Sequence, residues 1–162
     1  MAMFKVLEFA AYVMDRHKEK FNKDITPVRL QKSLYFCFAF WGGFVRKSAF
    51  QEEGKTEISF IGLDEKLFDA EFEAWAYGPV IPEVYYGENI LENNFNEELF
   101  LGKEEVKEFV DDVLNDIDEV TDFRLVDISH KDRAWMNNFD YNSEFHNNPI
   151  SHEEIIREYA RR

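Results

Sequence analysis

Apolar side chains recur at intervals of three and four residues in three long stretches of the chain. The stretch from Met3 to about Phe21 is amphipathic and ends in basic side chains, which complement the dipole of a helix. A second stretch opens with Thr26 as a helix N-cap and Pro27 as the first helical residue. Its broad apolar stripe predicts the central helix of the core. A third helix is predicted from Lys103 to about Glu119.

Two adjacent glycines, Gly42 and Gly43, follow the apolar stripe of the second predicted helix. They either end that helix or allow a neighbouring element to pack closely while the helix continues toward Arg46. The local sequence leaves both alternatives open.

Shorter helices are predicted farther along the chain. One begins at Pro82 and extends to about Leu91, since proline suits the first turn of a helix. Thr121 or Asp122 can cap another, which covers residues 123–129. Ser151 and Glu154 form a capping-box pattern at the start of a terminal helix. The Asn-rich residues 137–149 are expected to form a loop.

Alternating side chains indicate a small amount of β-structure. Residues 72–76 alternate as in a strand, and Gly78-Pro79 then interrupts the pattern because proline lacks a backbone N–H. A hairpin between the region of Ile58–Ile61 and residues 72–76 is expected. The predicted fold is therefore mainly α, of the α+β type, with a small antiparallel β-hairpin. Residues 1–162 are expected to form a single compact helical domain.

Composition and charge narrow the function classes. The chain is 45% hydrophobic and 17% aromatic, which is ample for a core, and its net charge is -14. Residues 51–122 carry twenty-two acidic side chains against four basic ones. This acidic middle argues against general nucleic-acid binding, because a phosphate backbone requires a basic surface. It either steers a basic protein partner or only solvates helix faces.

The same features predict a cytoplasmic protein without a membrane span. The single cysteine, Cys37, excludes an internal disulfide, and no secretory leader opens the sequence. The longest apolar run, residues 34–45, is too short to cross a bilayer.

Candidate chemistry is sparse. The four histidines are not spaced as metal ligands, and Cys37 lies on an apolar helix face where a thiol is unreactive. Asp127, His130 and Asp132 resemble an acid–base cluster, although their spacing also suits the end of a helix. There is no phosphate loop and no nucleophile elbow. We therefore expect no enzymatic activity, no cofactor and no metal.

Arg29 and Lys32 on the second predicted helix form the one basic group that could act as a recognition surface. A helix-turn-helix interpretation would place that helix in the major groove of DNA. Ion pairs between these two side chains and the acidic middle are the simpler interpretation, because the same helix carries the core stripe.

Three blocks of sequence resemble the Panacea domain, a family that includes SocA-like antitoxins and many phage-associated proteins. The blocks are ITPVRLQKSLYF at residues 25–36, LFDAEFEAWAYGPVIPEVY at residues 67–85, and LVDISHKDRAW at residues 125–135. They occur in the order typical of the family and extend into a terminal helix. Residues 47–66 are longer than is typical of the family, so inferences about this loop do not carry over.

The resemblance implies a mostly helical antitoxin that neutralises a cognate toxin, usually encoded beside it, by direct protein contact. Some members instead act as adaptors that deliver the toxin to a protease, so blocking and delivery both remain open. The family supplies no catalytic residues. The candidate partner-binding residues are Arg29, Lys32, Glu71, Glu73, Trp75, Tyr77, Glu83 and Tyr85. For the aromatics Trp75, Tyr77 and Trp135, burial in the core is favoured over exposure to a partner.

Two other functions compete with the antitoxin hypothesis. One is a phage-encoded accessory protein whose acidic middle binds a basic host protein. The other is a DNA-binding regulator that represses its own operon through the second helix.

Overall fold

The computed structural model describes residues 2–50, 64–142 and 147–162. In these residues the mainly α architecture with a small antiparallel sheet is confirmed. The elements in chain order are β1 (Ala2–Lys5), α1 (Val6–Phe21), α2 (Pro27–Phe50), β2 (Lys66–Asp69), β3 (Phe72–Trp75), β4 (Gly78–Val80), α3 (Pro82–Tyr85), α4 (Ile90–Asn94), α5 (Glu104–Asp118), α6 (Asp122–His130), α7 (Arg133–Met136), β5 (Asn148–Ile150) and α8 (His152–Ala160).

Helix α2 is the central element of the core, as predicted. It begins after Thr26, whose Oγ1 accepts a hydrogen bond from the backbone N–H of Arg29 at 3.1 Å. All side chains from residue 31 to residue 39 are buried, so the helix is enclosed on every side along this stretch. Helices α1, α5, α6 and α8 pack around it.

The two glycines of α2 allow close packing, and the helix continues through them. A Cβ atom on Gly43 would lie 2.7 Å from the backbone carbonyl carbon of Tyr159 in α8. A Cβ on Gly42 would lie 2.6 Å from Ile156 of the same helix. The second of the two alternatives for this glycine pair is therefore the correct one.

The chain forms two small sheets. In the first, β1 and β2 run parallel with Phe4 opposite Phe68. The expected helix from Met3 is wrong at its start, because Ala2–Lys5 pairs with β2 and α1 begins only at Val6. Pairing with a distant segment overrides the local helical pattern here.

The second sheet has the order β4-β3-β5 and is antiparallel, with Glu73 opposite Val80 and Phe72 opposite Ile150. Gly78-Pro79 does not end the β-structure, since it forms β4 at the edge of the sheet, where a proline is tolerated. Both sides of β3 are thus occupied by β4 and β5. The Ile58–Ile61 half of the expected hairpin lies outside the described residues. Strand β5 lies in the stretch that was expected to be loop.

The shorter helices follow their capping signals, with one exception. Thr121 accepts from the N–H of Arg124 at the start of α6, and Ser151 accepts from the N–H of Glu154 at the start of α8. The helix predicted from Pro82 to Leu91 is instead divided into α3 and α4. Asn89 adopts a left-handed conformation with φ of 52° between them, which a continuous helix does not allow. Across the described ranges, no helix has both the length and the apolar character to span a membrane.

Candidate partner-binding site

Four aromatic side chains form an exposed patch beside the β3–β4 turn. We call Trp75, Tyr77, Tyr85 and Tyr86 the aromatic patch. Tyr77, Tyr85 and Tyr86 are 67%, 52% and 72% exposed, and Trp75 is half-buried. The ring centroids of Trp75 and Tyr85 are 4.9 Å apart, and those of Tyr85 and Tyr86 are 5.0 Å apart. Large aromatics at this level of exposure are typical of protein-binding surfaces.

Local backbone geometry brings the patch together. Trp75 ends β3, and the turn at residues 76–77 reverses the chain so that Trp75 lies opposite Gly78. Gly78 has a φ of +106°, which favours glycine over any residue with a side chain. The single turn of α3, started by Pro82, then returns Tyr85 to the indole of Trp75.

The turn is held from behind by the third sequence block. The indole Nε1 of Trp135 donates to the backbone oxygen of Trp75 at 2.8 Å. The Nε2 atom of His130 lies 2.9 Å from the backbone oxygen of Ala76, and its ring stacks on Trp135 with centroids 4.2 Å apart. Trp135 is buried, which confirms the expectation for this residue, whereas the expectation of burial is wrong for Tyr77. Tyr77 lies in the tight turn at residues 76–77, on the surface of the domain, so its ring cannot be buried in the core.

A groove of about 320 Å³ separates the aromatic patch from the first turns of α2. Most of its lining is apolar or aromatic. The lining residues are Pro27, Val28, Gln31, Lys32, Trp75, Ala76, Tyr77, Val80 and Tyr85. The structure thus brings together four of the predicted partner-binding residues, Lys32, Trp75, Tyr77 and Tyr85, around one groove.

Lys32 lies at the base of this groove and is only 1% exposed. Its Nζ atom donates to the backbone oxygen of Pro79 at 2.8 Å. In residues 2–50, 64–142 and 147–162, no carboxylate lies within ion-pair distance of it, so the predicted ion pair with the acidic middle is wrong for Lys32. Burial lowers the pKa of the Lys32 ammonium to about 7, because a charge is costly in an apolar environment.

Arg29 lies outside the groove, and it forms the ion pair with the acidic middle that was predicted for it. Its Nε atom pairs with Oδ1 of Asp122 at 2.8 Å, and its Nη1 atom donates to the backbone oxygen of Ile117 at 3.0 Å. It also contacts the backbone oxygen of Val120. Arg29 therefore links α2 to the end of α5 and the start of α6.

Gln31 is a site residue that sequence reasoning missed. Its Nε2 donates to the backbone oxygen of Ile81 at 3.2 Å, and its Oε1 accepts from the N–H of the same residue at 2.8 Å. This pair of hydrogen bonds fixes the segment between β4 and α3 against α2. A glutamine flanked by core residues was the available signal, because a buried amide requires partners.

The three acidic candidates occupy different positions. Glu73 is half-buried, and its Oε1 accepts from the indole Nε1 of Trp75 at 2.9 Å, which orients the ring. Glu71 is exposed close to the patch in sequence. Glu83 is exposed but lines a different cavity, beside β1 and Asp69. The structure therefore does not bring Glu83 to the groove.

The resemblance of Asp127, His130 and Asp132 to an acid–base cluster has no counterpart in the geometry. Asp132 is buried and accepts from the hydroxyls of Tyr35 and Tyr159, each at 2.6 Å, while Asp127 is exposed. Burial raises the pKa of the Cys37 thiol, which keeps it protonated. Within the described part of the chain, no group of three or more His, Cys, Asp or Glu side chains is arranged to hold a metal ion.

The described residues form a mainly helical domain with an exposed aromatic patch. Residues 57–136 match the family model described as "Antitoxin SocA-like, Panacea domain". This match confirms the resemblance to the Panacea domain over residues 57–136 and supports an antitoxin-like role in general. The matched range includes all of the aromatic patch and the third sequence block. Searches of curated proteins and of solved structures found no significant match.

Proposed function

We propose that this protein is a cytoplasmic, non-enzymatic antitoxin that neutralises a cognate toxin by direct binding through the aromatic patch and its groove. The observation that carries the proposal is the exposure of this patch inside the range that matches the SocA-like antitoxin model. Tyrosine and tryptophan are the side chains that most often dominate the energy of protein interfaces. A rigid turn that presents them costs little conformational entropy on binding.

The negative charge of this protein indicates that the toxin binds through a basic surface. The net charge of -14 creates a long-range field that attracts a basic partner, and this attraction weakens as salt screens it. Glu71 precedes β3 and contributes one exposed negative charge to this field. Binding should therefore be faster at low ionic strength.

Co-expression with the product of the neighbouring gene tests the proposal. That product should be toxic alone and harmless when this protein is present. A combined variant, Tyr85→Ser with Tyr86→Ser, should bind the toxin at least about tenfold more weakly, since interface aromatics each contribute more than about 1 kcal/mol. Phe123→Ser is the matched control, because Phe123 is 84% exposed but does not line the groove.

A toxin that remains lethal in the presence of the wild-type protein would overturn the proposal. So would equal neutralisation by the folded double variant, because the patch would then not be the contact surface. A pull-down that captures a host protein instead of the toxin would favour the phage accessory hypothesis. If toxin levels fall in cells only when a host protease is intact, neutralisation proceeds by delivery to that protease.

Charge reversal separates the acidic candidates. Glu71→Lys changes an exposed charge just before β3, whereas Glu73→Lys also removes the acceptor that orients Trp75. We therefore expect both variants to slow association and Glu73→Lys to speed dissociation as well. Rates measured by surface plasmon resonance would distinguish the two effects, and unchanged rates for both would leave these acids as solvating residues.

A further inference from the structure

Lys32 lines the groove with a buried side chain, and its ammonium group has one hydrogen-bond partner. Lys32 can donate three hydrogen bonds, and the described residues supply only the backbone oxygen of Pro79. In the described part of the chain, no neighbouring side chain forms a second hydrogen bond with the ammonium. Gln31 bonds both backbone groups of Ile81, and the hydroxyl of Ser129 donates to the backbone oxygen of Val126 at 2.8 Å. Lys32 is thus the one charged group among the groove's lining residues.

A buried charge with unused donors is complemented best by an anionic acceptor that arrives with an apolar group. We propose that the groove binds an apolar segment of the protein partner that carries a carboxylate, and that Lys32 is the residue that binds this carboxylate. The inference rests on the proposed function, since it names the contact by which the toxin is recognised. The carboxylate would face Lys32 while the adjoining apolar group lies between Val28 and Trp75.

The surface outside the groove favours a protein over a small molecule as the occupant. The aromatic patch extends beyond the groove through Tyr86, which is 72% exposed and is not part of the lining. A small carboxylate would leave this ring uncovered, whereas a protein segment would cover it. The proposed segment carries a single carboxylate. The rest of the partner surface is basic, because the negative field of the whole chain attracts positive charge.

The inference predicts that binding takes up a proton. Groups that face Lys32 from the packed elements are Pro79 and Gly78 of β4, Ser129 of α6, and the phenols of Tyr77 and Tyr85 at the groove. None of these supplies a negative charge near neutral pH. Because burial holds the pKa of Lys32 at about 7, a bound carboxylate would raise that pKa and shift the amine to its charged form. Affinity should therefore fall by up to about tenfold per pH unit as the pH rises above 7.

The free protein allows a test that needs no toxin. The probes are 3-phenylpropionate and its neutral amide, 3-phenylpropionamide, followed by NMR shifts of the Trp75 indole and of the Lys32 side chain. At pH 6.5 we expect the carboxylate to bind at least fivefold more tightly than the amide, and the difference to disappear in Lys32→Met. Equal shifts for both probes, or shifts confined to residues outside the groove, would overturn the inference even if Lys32→Met failed to fold.

The complex provides the second arm. Affinity for the toxin should fall between pH 7 and pH 9 in the wild type and should lose this dependence in Lys32→Met, with neutralisation reduced. If the toxin is neutralised but the pH dependence is the same in both proteins, the carboxylate inference is wrong and the antitoxin function stands. If the probes bind as expected but no toxin is neutralised, the site is correct for its ligand chemistry and the proposed function fails, along with the assignment of the ligand to a toxin.

Discussion

Two buried charged side chains, Lys32 on helix α2 and Asp132 packed against it, differ sharply in their surroundings. Asp132 accepts from Tyr35 of α2, from Tyr159 of α8, and from the Nη2 atom of Arg162 at 2.8 Å. Lys32, one turn before Tyr35 on the same helix, has a single backbone acceptor. A charge with a complete set of partners stabilises one arrangement of the fold, whereas a charge with unused donors is available to a ligand.

Near each buried charge, a glycine allows another segment of the chain to approach closely. On the Asp132 side, Gly43 lets the backbone of Tyr159 approach α2 closely enough for its hydroxyl to reach the carboxylate. On the Lys32 side, a Cβ on Gly78 would lie 2.9 Å from Cε of Lys32. The approach at Gly43 packs α8 against α2 in the core, whereas the approach at Gly78 places the β3–β4 turn over Lys32. The closed packing at Asp132 and the groove at Lys32 therefore both depend on a close approach that a glycine permits.

Removing the carboxylate of Asp132 should have the largest effect on stability. Asp132→Ala leaves the hydroxyls of Tyr35 and Tyr159 without their acceptor, and each buried hydroxyl left unsatisfied costs about 1–3 kcal/mol. Urea denaturation would measure the free energy of unfolding. Asp127→Ala is the matched control, because Asp127 is exposed on the neighbouring helix and should change stability by less than about 0.5 kcal/mol. Equal losses in the two variants would contradict the structural role of the Asp132 cluster.

Gly43→Ala should have the next largest effect. Alanine gains about 1 kcal/mol of helix propensity, but its Cβ would lie 2.7 Å from the backbone of Tyr159, which cannot move without shifting α8. We expect a net destabilisation of about 1–3 kcal/mol, as for other overpacked sites.

Gly87→Ala serves as the control for Gly43→Ala in the same denaturation experiments. Its Cβ would meet mainly the end of the Ile90 side chain, which can rotate away. A Gly43→Ala protein as stable as the wild type would show that the contact between α2 and α8 is less rigid than its geometry indicates.

Within a single pH unit, the smallest effect should be a pH dependence of stability carried by Lys32. Burial lowers its pKa from 10.5 to about 7 in the folded protein, so the unfolded chain binds more protons between these two values. The free energy of unfolding should therefore rise with pH over this window, by at most about 1.4 kcal/mol per pH unit. The destabilisation due to the buried charge is complete below pH 7 and is relieved as the pH increases.

Comparison with Lys32→Met isolates this contribution. Denaturation of both proteins from pH 7 to pH 9 should give a difference in stability that grows with pH in favour of the wild type. Parallel curves would mean that Lys32 keeps an ordinary pKa in the folded state.

Local signals were sufficient to predict α2, α5 and the starts of α6 and α8. Thr26, Thr121 and Ser151 each act as the N-cap that the sequence indicates, and capping depends on neighbours within one turn. Strands β1 and β5 were not predicted, because each is defined by a partner more than sixty residues away in the chain. Short strands without strong alternation carry too little local information to be identified.

The sequence predicted several residues of the candidate site, but it did not predict that they line one groove. Lys32, Trp75, Tyr77 and Tyr85 meet at one groove because the β3–β4 turn folds onto the first turns of α2. The ion pair expected for Lys32 failed because residues 31–39 are buried all around the helix. A helix that is enclosed on both faces has no solvated polar face to set against its apolar stripe. Gln31 was missed for the same reason.

The central position of β3 has a consequence for protein synthesis. One of its neighbours, β4, follows within three residues, but the other, β5, is added only when the ribosome reaches residue 148. Until then the second edge of β3 has unpaired backbone groups and can associate with other chains. A nascent chain thus completes the sheet behind the aromatic patch only after β5 has been synthesised, and fragments that stop before β5 should be prone to aggregation.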